Sequence, residues 1–501
     1  MSAKMKTPGV YIQELDAFGN SVVPIPTAVP VFIGYTQNTS HNGTSLLNMA
    51  FRLSSLTDFL TVFGEDPPRT KFDIVSTTTD PDFTTANSQG YNLNPTTALF
   101  KLHAAMKLFY ANGGTDCFVM SIGDYTSLLD KTKFTNAIDL LKNETEPTAL
   151  VIPDAVIFDD QSAYDIANKM INHCAETKDK VSILDIPNGF EDLQQNPNCI
   201  DSFRNGVGGI MSSSNSYAAA YYPWLHTSIY QFSDISYDHL TESALSVLID
   251  LLNQEFPVSA LNQESGMAIL IANLTNTGAQ ETSRNEAHVV LSNQSATYKL
   301  VLEVIQKKLN LLPPSAAMAG IYTAVDNNEG VWKAPANVAV QSVVKPAVNI
   351  DHDTQQDLNV PINGKSVCAI RTFPGHGTLV WGARTLDGNS NDFRYINVRR
   401  SLIYIEQSVK DACKAYVFAS NDANTWTQVQ SMIENFLTGL WRQGGLVGPK
   451  PADAFSVSVG LGTTMTVQDI TNGIMRISLA VALSRPAEFI VISFEQQMQR
   501  T

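Results

Sequence analysis

Hydrophobic positions along the chain recur with two periods, one typical of buried strands and one typical of helices. Short apolar runs at 31–35, 149–152, 181–186 and 218–224 predict strands that are buried on both faces. Between and after them, apolar side chains recur every three or four positions, as at 163–174 and 300–305, and predict amphipathic helices. Because strands and helices alternate, the sequence predicts an α/β middle domain with a mainly parallel sheet.

Turn and capping residues refine this pattern on both sides of the middle domain. Asn94-Pro95 predicts an N-cap and a first helical residue, ahead of Leu99, Leu102 and Met106 at helical spacing. The polar stretch 77–91 predicts an exposed loop, and the polar stretch 342–365 predicts a connection between domains.

The last third of the chain predicts a compact α+β unit. One helix is expected after Tyr395, and a second carries apolar residues from Trp426 to Leu440 before Gly444-Gly445. A strand is expected at 457–460. We therefore expect a linking arm at 1–25, an N-terminal α/β part at 26–110, a middle domain at 111–345, a linker at 346–366, a C-terminal domain at 367–484 and a second arm at 485–501.

Both ends of the chain have the pattern of detached β-strands. TPGVYIQE at 7–14 and AEFIVISF at 487–494 are apolar or alternating runs bounded by Pro and Gly. Chain ends are usually frayed unless another segment holds them, so these strands predict arms that pair with a sheet edge. The residues we expect to make those contacts are Val10, Tyr11 and Ile12 in one arm, and Phe489, Ile490 and Val491 in the other. The alternative is that each strand completes a sheet of its own subunit.

Composition narrows the classes of function. The 501 residues include 33 basic and 48 acidic side chains, a net charge of -15, and no basic tract that would favour nucleic-acid binding. The five cysteines are scattered, which is typical of reduced, mostly buried thiols of the cytosol. We expect no signal peptide and no insertion into a membrane, because no apolar run approaches the length of a bilayer.

Candidate catalytic or metal-binding chemistry is sparse. No two of the eight histidines have metal-ligand spacing, and no nucleophile elbow or phosphate loop is present. Asp351-His352-Asp353 could hold a metal or lie in a solvated loop, and the glycine-rich segment 371–385 could be an active-site loop or a strand turn at an interface. The sequence therefore predicts a protein that is not an enzyme and has no cofactor and no metal site.

The ordered motifs of the chain resemble those of the tail sheath proteins of contractile phages and contractile injection systems. The resemblance rests on segments spread over nearly the whole chain: TPGVYIQE (7–14), VPVFIGYT (29–36), VFG (62–64), NGGTDCFV (112–119), PPSAAMAGIY (313–322), GVWKAPAN (330–337), LVWGARTL (379–386), YINVRR (395–400), VFASNDANTW (417–426), GLWRQGGLVG (439–448) and RPAEFIV (485–491).

The resemblance implies a fold and a mechanism. It implies a subtilisin-like middle domain without protease activity, because no Asp/His/Ser triad can be placed there and Ser315 follows two prolines. It implies stacked hexameric rings around an inner tube, baseplate and terminator proteins as partners, and arms that add strands to neighbouring subunits. The sheath would contract from a metastable state, after assembly in the bacterial cytoplasm as part of a phage tail or tail-like particle.

The resemblance also implies that the C-terminal domain contacts the tube. Arg399, Arg400 and Lys410, on the helix after Tyr395, are the tube-facing candidates, with plain solvation as the alternative. Two other functions stay open at this stage. One is a structural oligomer that does not contract, and the other is an α/β hydrolase.

Overall fold

The structure is a computed structural model that describes residues 21–65, 67–194, 197–257, 266–275 and 280–490. The helices of the described chain are α1 (Leu56–Phe63), α2 (Leu102–Ala111), α3 (Lys131–Leu140), α4 (Asp160–Thr177), α5 (Cys199–Gly206), α6 (Glu242–Glu255), α7 (Gly266–Thr275), α8 (Glu281–Gln294), α9 (Ala296–Leu309), α10 (Ser315–Glu329), α11 (His352–Asn359), α12 (Ile396–Cys413), α13 (Ala423–Arg442), α14 (Pro451–Ala454) and α15 (Val467–Thr471).

The strands of the described chain are β1 (Pro30–Thr36), β2 (Ser40–His41), β3 (Thr44–Ser45), β4 (Phe51–Leu53), β5 (Phe72–Thr77), β6 (Phe83–Thr84), β7 (Gly90–Pro95), β8 (Cys117–Asp124), β9 (Ala149–Val151), β10 (Val181–Asp185), β11 (Ala218–Tyr222), β12 (Leu225–Thr227), β13 (Leu311–Leu312), β14 (Val338–Ala339), β15 (Val343–Pro346), β16 (Cys368–Phe373), β17 (Gly377–Val380), β18 (Phe455–Val459) and β19 (Ile477–Val481).

A mainly parallel sheet forms the core, as the hydrophobic pattern predicts. Nine strands of the described chain follow the order β14-β17-β16-β11-β10-β9-β1-β8-β4. The six strands from β16 to β8 are parallel to one another, whereas β17, β14 and β4 join antiparallel at the two edges. Every residue of β1 and of β11 is buried, because a central parallel strand is covered on both faces. The predicted fold class is confirmed.

Helices α2 and α10 pack against each other and against strands of this sheet. Their close approach depends on Gly320, since a Cβ atom there would lie 2.4 Å from the carbonyl oxygen of Phe109. Helix α10 is buried along nearly its whole length, which explains its small and apolar sequence, SAAMAGIYTAV. The helix pair is therefore fixed by backbone proximity, and a larger side chain at this crossing would separate the two helices.

Two predictions about the N-terminal part are wrong. Asn94 and Pro95 do not begin a helix but end strand β7, and helix α2 begins only at Leu102. The stretch 77–91 is not one loop, because β5, β6 and β7 form a three-stranded antiparallel sheet there. Only one face of this sheet is apolar, with Phe72, Ile74 and Leu93 buried, so its polar face gives the sequence the appearance of a loop.

The described residues form two compact units. The larger unit holds residues 26–400 and 485–490, and the smaller unit holds 21–25 and 401–484. The expected linker at 346–366 lies within the larger unit, where it contains helix α11 and leads directly into sheet strand β16. Its polar sequence reflects a short exposed helix capped by Asp351, whose side chain accepts a hydrogen bond from the Thr354 amide at 2.8 Å.

Candidate functional site

The C-terminal arm candidates lie at the surface of the larger unit. Phe489 is 71% exposed and Ile490 is 80% exposed, and residues 485–490 pair with no strand of the described chain. Val491 and the N-terminal candidates Val10, Tyr11 and Ile12 lie outside the described residues. Adjacent exposed apolar side chains on an extended segment are the arrangement that a strand-adding arm requires.

The N-terminal segment of the described chain reaches the smaller unit. The Ile25 amide donates a hydrogen bond to Ser408 Oγ on helix α12 at 3.3 Å, and Val22 is buried. The residues that precede the first strand of the central sheet are therefore held by the C-terminal part of the chain. The sequence did not predict this contact, because it joins positions that are 383 residues apart.

Strands β18 and β19 of the smaller unit form a small amphipathic sheet. They pair antiparallel, with Phe455 opposite Val481, Val457 opposite Leu479, and Val459 opposite Ile477. These apolar pairs share one face, because side chains alternate along a strand, and the opposite face carries Ser456, Ser458, Ser478 and Ala480. Among the residues that the structure describes, no third strand pairs with either one.

Helix α13 supports this sheet. Its N-terminus is capped by Asp422, whose carboxylate accepts hydrogen bonds from the Asn424 and Thr425 amides at 3.1 and 3.0 Å. One face of the helix is buried, and the helix packs against β18. The apolar face of the sheet is nevertheless only partly covered, since Ile477, Leu479 and Val481 are all half-buried. A two-stranded sheet with this much accessible apolar surface is only marginally stable by itself.

Two of the three tube-facing candidates lie inside the larger unit. Arg400 is 6% exposed and forms a two-bond ion pair with Asp326 on α10, with Nη1–Oδ1 at 3.0 Å and Nη2–Oδ2 at 2.5 Å. Arg399 is 5% exposed and lies between the rings of Phe393 and Tyr217. These buried positions do not suit contact with a tube, because each guanidinium already has its partners within the unit.

Lys410 differs from the two arginines. It is exposed on α12, ten residues further along the helix than Arg400, and its ammonium group lies 3.4 Å from the side-chain oxygen of Gln407. It is therefore the one candidate of the three that is available to a partner in this structure.

Asp185 and Ser315 form a hydrogen-bonded pair that the sequence did not predict, with Asp185 half-buried and Ser315 buried. The Ser315 amide donates to Asp185 Oδ1 at 2.8 Å, and the Ser315 hydroxyl donates to Asp185 Oδ2. Burial raises the pKa of Asp185 to about 7, against the effect of these two hydrogen bonds. The pair joins the end of β10 to the first turn of α10. Ser315 is fully buried, so its hydroxyl is a structural donor that a substrate of a hydrolase could not reach.

A fully buried carboxylate lies three residues after strand β9 of the same sheet. Asp154 accepts hydrogen bonds from the backbone amides of Tyr35, Lys101 and Leu102 at 3.1, 2.6 and 3.1 Å. Burial raises the pKa of Asp154 to about 6 and lowers the pKa of Lys101 to about 8. These groups join β1 to the start of α2, and their hydrogen bonds satisfy backbone donors, as structural carboxylates commonly do.

Neither a metal site nor a membrane-crossing element is found in the described part of the chain. Within the residues given above, no cluster of three or more His, Cys, Asp or Glu side chains has the geometry to bind a metal ion. None of the described helices combines the length and the apolar character that crossing a bilayer requires. All five cysteines are free thiols, four of them buried and Cys413 half-buried.

Comparison with protein families identifies two domains in this chain. Residues 254–386 match the phage tail sheath protein central domain, and residues 389–497 match the phage tail sheath C-terminal domain. A tail sheath protein of Vibrio phage KVP40 is 25% identical over 197 residues, which is 37% of this chain. The match spans 28% of the length of that phage protein.

Solved structures resemble the chain over nearly its full length. The sheath complex of PVC, an extracellular contractile injection system, in its contracted state is 26% identical, with a TM-score of 0.62 and 99% of each chain covered. The contracted helical sheath of the anti-feeding prophage is 26% identical, with a TM-score of 0.60 and coverage of 98% of this chain and 100% of that chain. The chain thus matches two domains of the phage tail sheath proteins at 254–386 and 389–497, and it shares the fold of contractile injection system sheaths.

Proposed function

We propose that this chain is the structural subunit of a contractile sheath, in which hexameric rings stack around an inner tube and contract from a metastable extended state. Its two tail sheath domains and its similarity to two contracted sheaths support a sheath subunit of this class. Assembly would take place in the bacterial cytoplasm, within a phage tail or tail-like particle. Baseplate and terminator proteins would bind at the two ends of the sheath.

The observation that carries the proposal is the incomplete sheet of β18 and β19. It has an apolar face that is only half-buried and two edges without a partner strand in the described chain. An added strand would satisfy edge amides and carbonyls and would cover Ile477, Leu479 and Val481. We infer that arms from neighbouring subunits supply such strands. The receiving sheet and the arm would then belong to different copies of the chain.

The energies of strand addition suit a lattice that has to rearrange. Each backbone hydrogen bond contributes on the order of 1 kcal/mol net, so a strand of four to six residues contributes a few kcal/mol before the entropy cost of ordering it. One such contact is too weak to hold two subunits together, but every subunit would give and receive arms throughout the lattice. Because the hydrogen bonds are to the main chain, the added strand tolerates rotation of the two subunits better than an interface of specific side-chain contacts would.

Contact with the tube is assigned to the exposed part of helix α12. Lys410 is the remaining basic candidate there, since Arg399 and Arg400 have partners inside the larger unit. The proposal requires an acidic surface on the tube protein opposite Lys410. A charge reversal, Lys410→Glu, should weaken the sheath–tube contact, and it should do so most at low salt.

Deletion of the N-terminal arm tests the proposal. Removal of residues 1–20 deletes the strand predicted at 7–14 and leaves every residue of the two described units, including the buried Val22, in place. The matched control removes only residues 1–6 and keeps that strand. We expect both proteins to be folded monomers with similar melting curves, and only the control to form striated tubes in negative-stain electron microscopy. Normal tubes from the longer deletion would contradict the assignment of the arm.

A further inference from the structure

Glu488, immediately before the exposed arm residues, lies in a polar pocket of the larger unit. Its carboxylate accepts hydrogen bonds from Arg384 Nε and Nη2 at 2.9 and 2.6 Å, from Asn359 Nδ2 at 2.8 Å and from the Tyr395 hydroxyl at 3.0 Å. The side chains of Arg384 and Glu488 are 4% and 18% exposed. A carboxylate with this many donors, two of them from one guanidinium fork, is held more strongly than a surface ion pair.

The pocket is built from backbone contacts that do not involve the arm. Arg384 and Tyr395 are paired by a β-bridge, flanked by hydrogen bonds from the Thr385 amide to the Arg394 carbonyl at 2.8 Å and from the Ile396 amide to the Ala383 carbonyl at 2.9 Å. These contacts place the two donor side chains next to each other. The pocket is therefore fixed by the larger unit before Glu488 enters it.

The guanidinium group is oriented by further acceptors. Arg384 Nη1 donates to the carbonyl oxygens of Asn359 and Gly388 at 3.3 and 3.2 Å, so the Nε–Nη2 edge is left to face the carboxylate. Asn359 is itself fixed, because its carbonyl also accepts from Ser366 Oγ at 2.6 Å. Without Glu488, a nearly buried cation would lose its carboxylate partner, which is costly in a protein interior.

The exposure of residues 485–490 shows where the contact with the larger unit ends. Pro486 and Glu488 are half-buried, whereas Arg485 before them and Ala487 between them are exposed. After Glu488 the chain leaves the surface, with Phe489 71% and Ile490 80% exposed. Burial tends to raise the pKa of Glu488, but the hydrogen bonds from Arg384 and Asn359 outweigh it and lower the pKa overall. The pocket thus favours the ionised carboxylate.

We propose that the Arg384–Glu488 ion pair is a clamp that fixes the point at which the C-terminal arm leaves its own subunit. This inference rests on the proposed function, in which a second copy of the chain holds the arm. The clamp lies between the exposed arm residues, from Phe489 onward, and strand β19 along the chain, so a pull from the neighbouring copy reaches the clamp first. The clamp would transmit that pull to the central sheet of the larger unit and would shield the small sheet from it.

The clamp can be tested in the unassembled chain with a spin label. A nitroxide attached after Ile490→Cys, in a Cys413→Ser background, reports the mobility of the arm next to the clamp, since the other four cysteines are buried. We expect a restricted line shape with Glu488 present and a fast component after Glu488→Gln, which keeps the shape but removes the charge. Tyr395→Phe removes one donor and should give an intermediate line shape.

The matched control breaks another buried ion pair of the same unit. Asp326→Asn disrupts the pair with Arg400 and should leave the line shape at residue 490 unchanged. If that variant unfolds, Lys333→Gln, which breaks an exposed pair with Glu329, serves in its place. An unchanged line shape after Glu488→Gln, or equal changes in the variant and its control, would overturn the clamp.

A tube-formation assay distinguishes failure of the clamp from failure of the proposed function. If Glu488→Gln lowers the clamped population to about a tenth, the protein concentration needed for tube formation should rise about tenfold. Tube formation at the wild-type concentration would also overturn the clamp. If the wild-type chain forms no tubes, the proposed function fails, while the spin-label comparison still decides whether the clamp exists.

Discussion

The pH dependence of folding stability should change when Asp185 is replaced by asparagine. The carboxylate is half-buried and accepts hydrogen bonds from Ser315, and burial raises its pKa from the ordinary 3.8 to about 7. A folded-state pKa above the unfolded value means that the folded protein binds the proton more tightly. The stabilisation is therefore complete below about pH 3.8 and is lost as the pH rises through about 7.

The size of the change in unfolding free energy follows from that rise in pKa. About three pKa units at about 1.4 kcal/mol each give a total of about 4 kcal/mol. Between about pH 5.5 and about pH 8, the carboxyl group of the unfolded chain is already ionised. Over this range the wild-type protein should lose about 2 kcal/mol of the stabilisation. The amide introduced by Asp185→Asn has no charge to bury, so the variant should lack this part of the pH dependence. Any constant cost of the new amide cancels, because it is the same at both pH values.

Urea denaturation of the unassembled chain at the two pH values measures the effect. The free energy of unfolding of the variant relative to wild type should become more favourable by about 2 kcal/mol at the higher pH. Asp250→Asn, which changes an exposed carboxylate on helix α6, is the control and should show no such shift. If wild type and Asp185→Asn change in parallel with pH, the carboxylate is not buried in the way described above.

Two further predictions concern packing and thiol access. Gly320→Ala should lower the melting temperature, with a cost of about 1–3 kcal/mol, because a Cβ there meets the backbone of α2. Gly439→Ala on α13 is the control, since a Cβ there meets nothing within 4 Å. It should be neutral or stabilising by up to about 1 kcal/mol. Equal effects of the two substitutions would contradict the helix crossing. A thiol reagent should modify the half-buried Cys413 first in the native chain, and mass spectrometry should show that Cys413→Ser removes this early product.

The sequence predicts the buried half of the fold well. Strands β1, β10 and β11 are mostly apolar because a central parallel strand is covered on both faces, and such runs can be recognised locally. Strand β7 was missed because only Gly90 and Leu93 of its six residues are buried, and Asn94-Pro95 at its end resembles a helix start.

The candidate site was less predictable, because its decisive contacts join distant residues. Arg400 pairs with a carboxylate 74 positions away, and Glu488 meets Arg384 across 104 positions. Arginine is usually exposed, so a local pattern favours a surface role unless the buried partner is known. The one signal available for Glu488 was its place directly before the apolar run 489–492.

Electron microscopy of the assembled particles tests the central claim most directly. Tubes purified from cells that express the chain with its tube partner should be imaged before and after mild heating, which releases a metastable state. The account predicts six subunits per ring and two discrete sheath lengths, with short, wide tubes replacing long, narrow ones. Tubes that keep one length and one diameter after heating would contradict a contractile sheath.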